Sequence, residues 1–151
     1  MSGADFVSPE HEKLDAITGV WRTQITMLDP AGNEIERHAA TDTYRWMPGR
    51  HFLLHDVDAT MPGGPYASLE IIAVDPATGR YASRNYDNTG AITDSAVAFD
   101  GRNWSSDSQD ERFRGAFAED GRTLTGRWER REGGNWLAWM DVTLTRQAGT
   151  P

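Results

Sequence analysis

The chain has 151 residues, enough for one domain with a sizeable core. Its net charge of -8, with a single lysine (Lys13) and fourteen scattered arginines, excludes the clustered basic surface that nucleic acid or an anionic membrane would demand. The absence of cysteine excludes disulfides and thiolate chemistry. No run approaches the ~18 consecutive apolar residues of a membrane helix. Residues Met1 to Asp15 lack a basic start followed by an apolar stretch, so no signal peptide is expected and the protein is expected in the cytoplasm.

In chain order, residues 1–7 are expected to be flexible, and one helix follows. Ser8 is its N-cap, Pro9 stands in its first turn, His11, Leu14 and Ile17 or Thr18 recur at helical spacing, and Gly19 stops it. Two turns cannot stand alone in water, so this helix must dock on something larger. Everything after it reads as short strands between turns such as Asp29-Pro30-Ala31-Gly32, Pro62-Gly63-Gly64-Pro65, Asp75-Pro76-Ala77-Thr78-Gly79 and Asp87-Asn88-Thr89-Gly90. Ten strands result: 20–28, 34–46, 50–60, 66–74, 80–86, 91–99, 102–108, 111–118, 122–131 and 135–146. The break between the seventh and eighth is the weakest, since Ser106 to Asp110 contains no glycine.

Alternation supports this reading. Trp21, Thr23, Ile25 and Met27 share one face of the first strand, and Leu124, Gly126 and Trp128 share one face of the ninth. So many hairpins would leave open edges unless the sheet closes on itself. The expectation is an all-β protein, a closed antiparallel up-and-down barrel of about ten strands forming a single domain over 1–151. A barrel of that size has room for a small ligand. A two-sheet sandwich is the rival arrangement.

Gly19-Val20-Trp21 is a G-x-W element directly after the helix, and Asp141-Val142-Thr143-Leu144-Thr145-Arg146 ends the last strand with an arginine. This pairing resembles the lipocalin and fatty-acid-binding (calycin) superfamily, which implies that Trp21 closes one end of the barrel with Arg146 packed across it. Trp46 to Leu54, Arg112-Phe113-Arg114-Gly115, Leu124 to Glu129 and Trp136 to Arg146 resemble a bacterial lipocalin-like family of unassigned function. That resemblance implies a fold and brings no catalytic residues. Arg84-Asn85-Tyr86 has the spacing of the fatty-acid-binding R-x-Y element but stands mid-chain. Nitrobindins, barrels of similar build, hold haem with a histidine near the C-terminus, whereas the last histidine here is His55.

His51 and His55 stand four apart in an expected strand, on one face with Leu53 and Val57 and opposite Asp56 and Asp58. Four strand residues span ~13 Å, too far for two imidazoles to share a zinc, even with His38 on the neighbouring strand. No metal and no cofactor are expected. Glu70 and Glu129 would be candidate acids if they faced the interior, where burial raises a carboxyl pKa, but alternation puts Glu129 outside. Arg84 shares a face with Tyr86, and Arg112 with Arg114; they read as an outer solvated row, the alternative being an inward arginine that pairs with a bound acidic ligand. Trp136 and Trp139 are an odd number apart and face opposite sides unless a bulge intervenes.

The favoured expectation is binding of a small, partly apolar or aromatic molecule in the barrel interior, with Trp46, His51, His55, Tyr86, Trp128 and Trp136 as contacts. The alternatives are an enzyme using the same cavity for acid–base isomerisation, cyclisation or hydration, and a non-catalytic module that homodimerises through exposed aromatics.

Overall fold

The computed structural model describes residues 6–148. A short helix, α1 (Pro9–Leu14), continues into a single 3-10 turn over Asp15–Ile17. Ten strands follow: β1 (Gly19–Leu28), β2 (Glu34–Trp46), β3 (Phe52–Met61), β4 (Gly64–Val74), β5 (Tyr81–Asp87), β6 (Ile92–Phe99), β7 (Asn103–Asp107), β8 (Glu111–Phe117), β9 (Thr123–Glu132) and β10 (Asn135–Arg146). Each strand pairs antiparallel with the next, and β1 also pairs with β10, so the sheet is a closed up-and-down barrel with no free edge. No helix among the described residues is long and apolar enough to cross a membrane.

Aspartates build the turns. The carboxylates of Asp29, Asp75, Asp87, Asp100 and Asp120 each accept backbone N–H bonds from residues two to four further on, which closes the hairpins that these residues begin. The glycine-free turn between β7 and β8 is held by Ser108 instead, whose hydroxyl donates to the Glu111 carbonyl and accepts from its N–H.

Ser8 caps α1 by accepting from the His11 N–H. The helix plugs one end of the barrel: Leu14 and Ile17 are fully buried, the Tyr81 hydroxyl donates to the Glu10 carbonyl at 2.7 Å, and the Trp21 indole donates to the Ile17 carbonyl at 2.9 Å. The Arg146 guanidinium lies 4.2 Å over the Trp21 ring and donates to the carbonyls of Thr18 and Ala16. One side chain thereby satisfies two C-terminal carbonyls of the helical segment and covers the indole. Above the plug, Trp21, Phe99, Phe117 and Leu124 fill the barrel solidly.

Two details depart from the sequence reading. Of the segment 1–7 expected to be flexible, residues 1–5 lie outside the described residues, whereas Phe6 packs edge-on against Trp46 and under Arg50. β3 begins at Phe52 rather than at residue 50, because the hairpin turn occupies Met47–His51, with Gly49 and Arg50 both at positive φ. His51 therefore belongs to the turn and not to the strand face that carries His55.

Candidate functional site

Strand parity decides what points inward. On β3 the inward set is Leu53, His55, Val57 and Ala59; registered against it are Ala40, Asp42 and Tyr44 of β2, and Tyr66, Ser68, Glu70 and Ile72 of β4. Three ionisable side chains from three adjacent strands thus meet inside the barrel. His55 Nε2 lies 2.7 Å from Asp42 Oδ2, and His55 Nδ1 lies 2.8 Å from Glu70 Oε1. Asp42 Oδ1 accepts a further bond from the Thr23 hydroxyl at 2.5 Å. The Tyr44 ring stacks on the imidazole, 3.8 Å between centroids and 9° from parallel.

The protonation of this group follows from its contacts. Burial works against a charged imidazole, but hydrogen bonds and charge from Asp42 and Glu70 outweigh it and push the His55 pKa up to about 9. For Glu70 burial acts to raise the pKa, yet the bond to His55 and its charge, helped by the nearby Ser83 hydroxyl, hold it below the usual carboxylate value. Burial and the neighbouring carboxylates raise the Tyr44 phenol well above its ordinary value. At neutral pH, His55 is an imidazolium donating from both nitrogens to two carboxylates.

The cluster is not wholly covered. Its side chains keep 11–18% of their surface although the wall around them is closed. Towards the end away from α1, the inward residues Met27, Val57, Tyr66, Ser68, Asn85, Trp128 and Met140 are half-buried, whereas Leu14, Ile17, Trp21, Leu53 and Ile72 nearer α1 are completely covered. The half-buried apolar side chains pack against the buried core on one side and keep surface on the other, so they form the mouth of the barrel at the end away from α1, beyond the charged cluster.

Of the residues expected to contact a ligand, His55 stands in the charged cluster and Trp128 at the mouth, packed against Phe113 and Trp139. Four lie elsewhere. Trp46 points inward but at the plugged end, where its indole donates to Asp15 at 3.0 Å. His51 sits in the exposed turn beside His11. Tyr86 is on the outer wall, in an open depression of about 630 Å³ lined by Thr41, Thr43, Asp58 and Leu69 and reaching Val57 and Ser68. Trp136 is also outside, flanked by the guanidiniums of Arg112 and Arg131, because a register shift between Ala138 and Met140 turns Trp139 towards Trp128 instead.

The sequence reading named Glu70 as an acid only if it faced inward, and overlooked Asp42. The available signal was parity: Asp42 shares its face with Ala40, Tyr44 and Trp46, where a carboxylate needs a partner. Arg84 and Arg112 are outside, paired with Asp94 and Glu129. Among the described residues no group of three His, Asp or Glu side chains is arranged to hold a metal ion.

Comparison with known proteins agrees with this fold. Residues 7–109 match the family described as protein of unknown function (DUF1579). The chain belongs to that family. The crystal structure of Rv2717c from M. tuberculosis is similar to this DUF1579 chain with a TM-score of 0.65, covering 93% of this chain and 98% of the other at 15% sequence identity. At that identity the likeness concerns the barrel alone. No curated protein matches the chain.

Proposed function

We propose that the protein binds a small, partly apolar or aromatic molecule in a hollow at the mouth of the barrel. The observation that carries this reading is the contrast between the two ends. Leu14, Ile17, Trp21, Leu53 and Ile72 toward α1 are completely buried, whereas Met27, Val57, Tyr66, Trp128 and Met140, packed on the core from the other end, keep part of their apolar surface near the charged cluster. Apolar walls with a few convergent polar groups are what small-molecule sites share. Acid–base catalysis by His55 is the weaker reading, because both ring nitrogens are engaged and the imidazole stays protonated at neutral pH.

The test uses Nile red, a neutral apolar dye. The wild type should bind one dye with a blue-shifted emission, and Met140→Trp, which fills the hollow and lies away from the outer depression, should abolish binding while the far-ultraviolet circular dichroism stays unchanged. Equal binding by the two proteins would place the dye on the outer wall and overturn the reading.

A further inference from the structure

The electrostatics of the charged cluster narrow the class of ligand, resting on the reading of a hollow at the mouth as a binding site. The two carboxylates and one imidazolium of the cluster leave an excess of one negative charge inside the barrel. Both oxygens of Asp42 are occupied, by Thr23 and His55. Glu70 differs: Oε1 accepts from His55, whereas among the described residues no well-formed hydrogen bond closes on Oε2, with only the Ser83 hydroxyl nearby, and the side chain keeps 18% of its surface.

A second incompletely bonded polar group stands beside it. Ser83 of β5 registers against Ile72, one inward position from Glu70, and is 6% exposed; its hydroxyl lies near enough to Glu70 to help hold that carboxyl's pKa down, yet it closes no well-formed hydrogen bond. A buried hydroxyl without a well-formed bond is costly, so it marks a place where something polar belongs. At the rim, Asp87 and Glu111 are half-buried acids, and the Arg130 guanidinium, 3.8 Å over the Trp139 ring, acts on Glu111 and offsets one of them. His38, further along β2, lies 3.5 Å from Glu36.

We propose that the hollow takes a small organic cation, with its ammonium group on Glu70 Oε2 beside Ser83 Oγ and its apolar body among Met27, Val57, Tyr66 and Trp128. The ammonium donates to the free carboxylate oxygen, accepts no proton in return, and brings the cluster to neutrality. Ring faces and thioethers are also surfaces on which a cation is well received. An anionic ligand would meet only repulsion at Glu70, since His55 is already committed on both sides.

Three naphthalenes of one shape test the charge preference by calorimetric titration at pH 7: 1-naphthylmethylamine, 1-naphthalenemethanol and 1-naphthoic acid. The amine should bind about tenfold or more tighter than the alcohol, the worth of one charge-assisted hydrogen bond, and the acid should bind weakest. Glu70→Gln should remove the amine's advantage while the alcohol still binds, which also shows that the variant is folded; Ser83→Ala should reduce it. An amine no tighter than the alcohol, a preference for the acid, or an advantage that survives Glu70→Gln would overturn the cation inference and leave the hollow standing. Failure of all three compounds, together with failure of Nile red, would remove the hollow itself.

Discussion

Replacing His55 with glutamine probes the buried charge cluster most directly. The folded pKa of about 9 lies above the ordinary 6.5, so the folded state holds this proton more tightly than the unfolded chain does. The stabilisation is fully present below pH 6.5 and is lost as the pH rises through about 9. At about 1.36 kcal/mol per pKa unit, the shift is worth on the order of 3 kcal/mol. For a chain of this length that corresponds to a fall in Tm of roughly 6–12 °C. Urea unfolding at pH 6 and pH 9.5 should show this loss in the wild type and not in His55→Gln. His11, whose pKa burial lowers, contributes equally to both proteins and cancels in the comparison. Removing the imidazole leaves two carboxylates facing each other, so the variant will start less stable. If it is too weak to titrate, the His55 ring resonances of the wild type followed by NMR read the same quantity. A midpoint near 6.5, or the same pH dependence in both proteins, would refute the cluster's charge assignment. Glu70 imposes the opposite sign at low pH: its lowered pKa gives stability that is present above 4.5 and lost as the pH falls below it.

Other expectations follow from single contacts. Gly126 faces Gly115 across β8 and β9 with the Phe113 ring laid over both, and a Cβ at Gly126 would stand 2.4 Å from Phe113 Cζ and 2.6 Å from the Arg114 carbonyl. Gly126→Ala should therefore cost about 1–3 kcal/mol by overpacking, measured by urea denaturation. Arg146→Met keeps an aliphatic stem over Trp21 but abandons the carbonyls of Thr18 and Ala16; a loss of about 1–3 kcal/mol is expected by calorimetry. Trp128→Ala should weaken Nile red binding severalfold. Tyr86→Ser, on the outer wall, should leave dye affinity unchanged and alter stability by no more than about 0.5 kcal/mol.

The strands and their number were legible in the sequence because they depend on local chemistry, whereas closure of one end by Trp21 and Arg146 came from the resemblance and the helix was expected only to dock on something larger. Alternation fixes which residues share a face, Asp-Gly and Pro-Gly turns fix where strands end, and the G-x-W element with the terminal arginine marks the join of first and last strands. The error at His51 has the same local origin: a turn of five residues with Arg50 in the left-handed region looks like strand when only alternation is counted. Parity also separated His55 from Asp56 and Asp58. What it could not supply was which of the two faces is the inner one at each strand, or which residues of neighbouring strands lie side by side. Asp42, His55 and Glu70 are thirteen and fifteen residues apart along the chain, and only the register of β2, β3 and β4 brings their side chains within hydrogen-bonding distance. The same register, shifted by a bulge in β10, sends Trp136 outside and Trp139 in. Side-chain period is a property of one strand. A buried cluster, its charge and the mouth of a barrel are properties of several strands at once, set by how the barrel closes.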